Sequence, residues 1–172
     1  TERLWVFSRP VRGRGCFDMR LTDILNQDCI IPDLKGHEKR ETLEEMAKEL
    51  AFRFADINRD KLLEAIFERE KLGSTGIGYG VAIPHVRLKG VNTIAILFGR
   101  SNKGVEFQAM DGRPAHLFFL IAVPEDSNTA HIKVLARISG LLKDTGFRKQ
   151  LMEASTQEEI YSIIVKEDKK LS

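Results

Sequence analysis

The stretch from Ala115 to Val123 limits the folds available to this chain more than any other segment. It is apolar almost throughout, and several of its side chains are β-branched or aromatic, which favours a strand. A strand with one wet face alternates apolar and polar residues, whereas an uninterrupted apolar run needs cover on both faces. We therefore expect a central strand in a sheet that is covered on both sides.

Other segments supply the remaining elements of a mixed α/β fold. Apolar runs at 81–86 and 91–98 predict two further strands, Ile30-Ile31 before a proline predicts a short one, and Asp111-Gly112 is typical of a turn. The predicted helices begin at Thr42, with Glu45 completing a capping box; after Asn58 or Asp60, ending at Gly73; at Asn128 or Thr129; and at about Thr156, running to Val165. We expect a single domain with a mixed β-sheet flanked by helices on both faces.

Composition excludes several classes of function. The chain has 27 Lys and Arg against 25 Asp and Glu, a net charge of +2, so it has no basic surface that indicates nucleic acid or an acidic membrane as partner. No apolar stretch approaches the roughly 20 residues that span a bilayer. The two cysteines, Cys16 and Cys29, form no C-x-x-C pair, which favours a reducing compartment and the cytoplasm. A local site must carry the function.

The first eighteen residues differ in character from the rest. Residues 1–18 carry several arginines among glycines and have no apolar run of the signal-peptide kind. We interpret them as a disordered or artificially added tail, with a nucleic-acid-binding arm as the functional alternative. The folded domain is expected to cover residues 19–170.

A single histidine, His85, ends the segment STGIGYGVAIPH at 74–85. The proline before it has no amide proton and commonly ends a strand, so we expect the histidine to point into a cleft. Gly76, Gly78 and Gly80 form G-x-G-x-G, but a strand rather than a helix follows, which excludes the dinucleotide and P-loop fingerprints. The glycines either make only a tight turn or form a backbone nest that binds an anion, such as phosphate, beside His85.

Three further histidines carry less information. His37 and His116 are expected to be ordinary surface or strand-start residues. His131 lies on the apolar stripe of the third predicted helix, where a core role is the simple alternative. Its place in the first turn instead favours a neutral ring that can donate a hydrogen bond to an anion. A zinc site made by His85, His131 and a carboxylate has no supporting ligand spacing.

The run REKLGSTGIGYGVAIPH at 69–85, followed by AHIKVL at 130–135, resembles the type 2 enzyme IIA family of the bacterial phosphoenolpyruvate-dependent phosphotransferase system (PTS). The nitrogen-regulatory, fructose and mannitol components are the branches to which it is most similar. The similarity covers about Met19 to Val165, including the DGRP turn at 111–114. It implies the mannitol-type IIA fold.

The resemblance also implies a set of roles. His85 matches the histidine that accepts a phosphoryl group from an HPr-like phosphocarrier protein and passes it on; His131 matches the second active-site histidine. Arg69 matches the arginine that precedes the nucleophile, and a cation near a helix end is its simpler interpretation. No metal ion or cofactor is implied, because the donor phosphohistidine already has a high transfer potential. Val86 stands where the family mostly has a small residue such as Gly, so a narrower approach to the ring is expected.

Two downstream roles follow from the resemblance. The segment GSTGIG at 73–78 and the absence of a fused IIB, IIC or HPr domain favour a nitrogen-regulatory IIA, whose phosphorylation state controls a regulator or a potassium-transport protein. The alternative is a fructose- or mannitol-type IIA that passes phosphate to the IIB domain of a sugar transporter. A binding module that no longer takes phosphate is a third possibility, which the presence of Arg69, His85 and His131 disfavours.

Overall fold

The computed structural model describes residues 19–127 and 129–171, so the predicted tail at 1–18 lies outside the described residues. The strands are β1 (Ile30–Ile31), β2 (Gly76–Gly78), β3 (Val81–Ala82), β4 (His85–Leu88), β5 (Ala95–Val105) and β6 (Ala115–Pro124). The helices are α1 (Lys39–Arg53), α2 (Arg59–Lys71), α3 (Ala130–Leu142), α4 (Thr145–Glu153) and α5 (Gln157–Lys169). Short 3-10 turns at Leu21–Asp23 and Gln27–Cys29 precede β1.

The six strands form one mixed sheet around β6. Its order is β1-β5-β6-β3-β2, with β5 antiparallel to β6 and β1 parallel to β5. On the other side of β6, β3 and β4 lie end to end and both run parallel to it. The run from Leu117 to Val123 is buried without interruption, which confirms the predicted central strand.

Helices cover both faces of this sheet, as the fold prediction required. Helices α1 and α2 pack on each other and against β5 and β4, while α4 and α5 pack on each other and against β6 and β1. The apolar side chains of both layers and of the sheet form one core cluster. Within the described ranges, no helix combines the length and the apolar character that crossing a membrane requires.

The predicted start of the first helix is wrong by one turn. Helix α1 begins at Lys39, after an N-cap residue, Glu38, whose backbone N–H donates to the carboxylate of Glu41, as does that of His37. Thr42 lies inside the helix, and its hydroxyl donates to the Glu38 carbonyl at 2.9 Å. The carboxylate of Glu45 instead accepts hydrogen bonds from the backbone N–H groups of Lys35 and Gly36. Thr42 and Glu45 have the S/T-x-x-E sequence pattern of a capping box, but Thr42 lies inside the helix and lacks the extended backbone that an N-cap residue needs.

Three predicted helix starts are confirmed, and one helix was missed. Helix α3 begins directly after Thr129. The side chain of Asn58 accepts from Lys61 N at 3.0 Å, and that of Thr156 accepts from Glu159 N at 3.1 Å. Helix α4 was not predicted, because it is short and carries a glycine in its first turn. Asp144, which accepts from Phe147 N at 2.7 Å, was the available signal for it.

The buried carboxylate of Asp168 connects the two ends of the described chain. The carboxylate of Asp168 has 1% side-chain exposure and lies 2.5 Å from Arg137 Nε. It also accepts the backbone N–H of Leu21 at 2.8 Å. One side chain of α5 therefore holds both helix α3 and the first 3-10 turn.

We expect Asp168→Asn to reduce the free energy of unfolding by about 3 kcal/mol, because it leaves a buried guanidinium without its counter-charge. Urea unfolding followed by circular dichroism measures the change. Glu153→Gln neutralises an exposed pair with Lys149 and serves as the control, with an expected loss below about 1 kcal/mol. Equal losses in the two variants would contradict the role assigned to Asp168.

Candidate functional site

His85 stands at the point where one edge of β6 changes partners. Strand β3 pairs up to Ala82 with Phe118, and β4 resumes pairing at His85 with Ile121. Pro84 interrupts the strand because it has no N–H to donate, although its carbonyl still accepts from Ile121 N at 2.9 Å. The predicted single strand at 81–86 is therefore two strands, with the histidine at the break.

The break gives His85 a hydrogen-bond partner within its own backbone. Its Nδ1 lies 2.8 Å from the carbonyl oxygen of Ile83. A carbonyl can only accept, so the proton of the ring resides on Nδ1. In the neutral ring Nε2 then carries a free lone pair.

The surroundings of His85 favour that neutral ring. Burial lowers the pKa of His85 below its ordinary value of 6.5, and the electrostatic effects of Arg69 and His131 lower it further. The hydrogen bond to Ile83 and the weaker electrostatic effect of Glu70 act in the opposite direction without reversing the shift. Arg69 and His131, the two residues predicted to assist His85, therefore both act electrostatically on its ring.

Arg69 reaches the site from the last turn of α2, the helix that packs against β4. Its Nη1 donates to the carbonyl of Gly73 at 2.9 Å, which ties the side chain to the loop that follows the helix. A guanidinium has five N–H donors, so this bond leaves others for an anion. The predicted helix-end interpretation and the predicted site role are therefore compatible.

His131 lies half-buried in the first turn of α3, where Arg87 contacts it. Arg87 Nη2 is 3.4 Å from Nδ1 and 3.3 Å from Nε2 of this ring. The Arg87 guanidinium is therefore within hydrogen-bond reach of both ring nitrogens, and the tautomer of His131 decides which of them accepts. Sequence reasoning missed Arg87. Its position two residues after His85 on a strand, and hence on the same face, was the signal.

Val86 does not narrow the approach to His85. Successive residues of a strand point to opposite faces, and Val86 points into the core with 7% exposure while its neighbours His85 and Arg87 do not. It pairs with Ala122 in the register of β4 with β6. The departure from the family pattern at this position is a matter of core packing.

Gly78 and Gly80 shape the loop of the β2–β3 hairpin. Tyr79 and Gly80, with φ of 57° and 76°, form its two-residue loop, and the left-handed conformation of both is typical of a type I′ turn. The carbonyl of Gly80 accepts a hydrogen bond from Leu117 N on β6, whereas His85 pairs with Ile121, four residues further along the same strand. At 3.3 Å per residue, Gly80 and His85 are therefore about 13 Å apart along the strand. Gly80, and Gly78 across the same loop, therefore do not form the predicted phosphate-binding nest beside His85.

Gly76 lies closer to the site but has another function. Its N–H donates to Ser74 Oγ at 3.0 Å, and an added Cβ would lie 3.0 Å from Ala109 Cα. A glycine is needed there because two backbone segments approach closely. Of the two interpretations of the glycine motif, the turn is the one that the geometry supports.

The remaining histidines differ from His85 in their surroundings. His37 is exposed beside the first turn of α1. His116 donates through Nδ1 to the Ser101 carbonyl at 2.9 Å, the same arrangement as in His85. However, its ring packs closely on Gly104, where an added Cβ would lie 2.9 Å from Nε2. Its Nε2 therefore lies close to the backbone of Gly104.

Comparison with known proteins identifies the family of the chain. Residues 23–167 match the family described as "Phosphoenolpyruvate-dependent sugar phosphotransferase system, EIIA 2". The nitrogen regulatory protein of Bradyrhizobium diazoefficiens is 39% identical over 146 residues, which cover 85% of this chain and 95% of that protein. The fructose-specific EIIABC component of Bacillus subtilis is 41% identical over 151 residues, 88% of this chain, but the chain spans only 24% of that longer protein.

Solved structures show the same fold. The crystal structure of the nitrogen regulatory protein IIA-Ntr from Neisseria meningitidis matches with a TM-score of 0.79 and 36% identity, covering 84% of this chain and 98% of that one. The mannitol IIA of Escherichia coli matches with a TM-score of 0.70 at 24% identity, covering 81% and 98%. The chain therefore belongs to the type 2 enzyme IIA family of the phosphoenolpyruvate-dependent sugar phosphotransferase system.

Proposed function

We propose that this chain accepts a phosphoryl group on Nε2 of His85 from an HPr-like phosphocarrier protein and passes it on. Membership of the family makes it a phosphotransfer component of the PTS; the acceptor atom and the partners are the proposal. In the transfer, the N–P bond of the donor phosphohistidine breaks and a bond between phosphorus and Nε2 forms. The proton stays on Nδ1, shared with the Ile83 carbonyl, so no separate base is required.

Phosphoryl transfer asks the protein mainly for position and for stabilisation of negative charge. Arg69 offers a forked pair of donors to phosphoryl oxygens, and His131 donates from the first turn of α3. Arg87 contacts the His131 ring and brings a positive charge beside it. The neutral His85 ring attacks the phosphorus, while the cations around it stabilise the charge that gathers on the oxygens.

The observation that carries the proposal is the combination of a free Nε2 with these cations. His116 has the same Nδ1 bond to a backbone carbonyl, yet its Nε2 packs against Gly104. The tautomer alone therefore does not select an acceptor. Arg69 and His131, which both act electrostatically on His85, supply the difference.

We further propose that the chain acts as a nitrogen-regulatory IIA, in which the phosphorylation state controls a regulator or a potassium-transport protein. Two similarities support this branch: 39% identity to a nitrogen regulatory protein along nearly all of that protein, and a TM-score of 0.79 to IIA-Ntr. Residues 19–170 make up the domain in this proposal. The free, buried thiol of Cys29 is in keeping with action in the cytoplasm.

The alternative is a fructose-type IIA that donates to the IIB domain of a sugar transporter. One observation favours it: the identity to the fructose-specific EIIABC component, at 41%, is slightly higher than that to the nitrogen regulatory protein. Both branches share the acceptor chemistry. They differ in the surface that recognises the donor and the recipient.

We expect His85→Ala to abolish phosphorylation while the fold is retained, because a half-buried ring at a strand break contributes little to the core. Intact mass after incubation with phosphoenolpyruvate, enzyme I and a phosphocarrier, with peptide mapping of the acid-labile adduct, measures this. His116→Gln is the matched control and should be phosphorylated like the wild type. An adduct that maps to any residue other than His85 would contradict the proposal.

The pKa of His85 should lie below 6.5, so the ring becomes the neutral nucleophile as the pH rises through that lowered pKa and stays neutral above 6.5. Titration of the His85 Cε1–H signal by NMR measures it. Arg69→Gln should raise the pKa of His85, because it removes a positive charge that disfavours the imidazolium, and His131→Gln should raise it by less, because His131 is the weaker of the two electrostatic causes. A wild-type pKa at or above 6.5, unaltered in both variants, would show that these side chains do not act on the ring.

The branch is tested by the rate of phosphorylation from two donors. We expect the nitrogen-branch phosphocarrier to phosphorylate the chain roughly tenfold faster than the sugar-branch HPr, a difference of about 1.4 kcal/mol in transition-state stabilisation. The Bradyrhizobium nitrogen regulatory protein and the IIA domain of the Bacillus EIIABC component are the two controls. Faster phosphorylation by HPr, followed by loss of the phosphoryl group to a fructose IIB domain, would favour the alternative.

A further inference from the structure

Glu70 follows Arg69 in the last turn of α2, and the chemistry above gives it no role. Its side chain has 7% exposure, and Lys39 Nζ lies 2.7 Å from its Oε2. It also accepts the backbone N–H of Thr75, at 3.3 Å and 3.2 Å from its two oxygens, and the hydroxyl of the same residue. Thr75 is itself buried, with 4% exposure.

A buried carboxylate is costly unless it is paired and fully hydrogen-bonded. Lys39 meets that condition from the first turn of α1, where its Nζ also lies 4.5 Å from the centroid of the Phe107 ring. An apolar pair of similar volume would fill the same space at lower cost. What the charged group adds is a fixed position for Thr75, since a carboxylate that accepts both the N–H and the O–H of one residue leaves it little freedom.

Thr75 leads directly to the nucleophile. Its carbonyl accepts the N–H of Ile83 at 3.0 Å. The carbonyl of Ile83 in turn accepts the Nδ1 proton of His85 at 2.8 Å. Three hydrogen-bonded steps therefore connect the Glu70 carboxylate with the imidazole, through the segment that lies beside the strand break.

We propose that Glu70 is a positioning residue for His85: through Thr75 it holds the Ile83 carbonyl where it keeps the ring proton on Nδ1 and leaves Nε2 free. The inference rests on the proposed function, in which Nε2 is the attacking atom. Glu70 does not act as acid, base or phosphoryl ligand here. Its contribution is to restrict the acceptor to one tautomer and one orientation before the donor arrives.

Two variants separate this positioning from a simple effect of charge. Glu70→Gln removes the negative charge and weakens the bonds to Thr75. Thr75→Val keeps the charge of Glu70 and removes the hydroxyl. If geometry is what matters, both variants disturb the His85 ring, whereas a charge effect would appear only in the first.

Two controls are matched to these variants. Thr75→Ser retains the hydroxyl and should have the His85 tautomer and the phosphorylation rate of the wild type. Glu68→Gln makes the same change two residues earlier in α2, in a pair with Lys71 whose Glu68 side chain is 65% exposed. Both controls should leave the ring and the rate unchanged.

The primary measurement is the tautomer of His85 in the unphosphorylated protein, read from ¹⁵N–¹H long-range NMR spectra above pH 6.5. We expect the wild type to show the Nδ1–H form alone, and Glu70→Gln and Thr75→Val to show a mixture with the Nε2–H form. The rate of phosphorylation should fall roughly tenfold in both, the lower end of what loss of an orienting partner costs a metal-bound histidine. Circular dichroism verifies that each variant is folded.

Folded Glu70→Gln and Thr75→Val proteins with the Nδ1–H form alone and wild-type rates would overturn the proposal, even if their melting temperatures were lower. A change confined to Glu70→Gln would overturn it in favour of a charge effect. Should Glu70→Gln fail to fold, Thr75→Val decides alone. Because the tautomer is read without a donor, a wild type that has the Nδ1–H form but takes no phosphoryl group would refute the proposed function and not the positioning.

Discussion

The interruption of a strand at Pro84 is the constraint on which the site depends. Both halves of the interrupted strand pair in parallel with β6, so the sheet continues while one segment, Ile83-Pro84, leaves the regular pattern. The Ile83 carbonyl is thereby available for the side chain two residues later. A continuous strand would use its carbonyls in the sheet, and His85 would lose the bond that defines its protonated nitrogen.

Two groups of charged side chains with different effects surround the strand break at Pro84. On one side, the Lys39–Glu70 pair is nearly buried and its charges cancel, so it fixes backbone and adds little net field. On the other side, Arg69 and Arg87 bring positive charge, and neither has a carboxylate in hydrogen-bond contact with it among residues 19–127 and 129–171. The first arrangement supplies rigidity, and the second supplies the attraction for an anion.

Much of the fold followed from local patterns, because the central strand, the Asn58 cap and the Thr156 cap each depend on residues close in sequence. The start of α1 did not, since Glu45 binds the backbone at Lys35 and Gly36 instead of closing a capping box. The glycines were misleading for a related reason: glycine patterns specify backbone freedom but not what lies beside it. The hydrogen-bonded steps from Glu70 to His85 cross three segments and leave no periodic trace in the sequence.

The shared geometry of His85 and His116 has a consequence for how such proteins diverge. Two imidazoles in one sheet have the same protonated nitrogen, bound in each case to a backbone carbonyl. What separates them is the presence of Arg69 and His131, which come from other segments and act on His85. A lineage could therefore abandon phosphoryl transfer by substituting Arg69 or His131 and keep its histidine intact. In such a family, the presence of the acceptor histidine in a sequence is weak evidence that the protein still transfers phosphoryl groups.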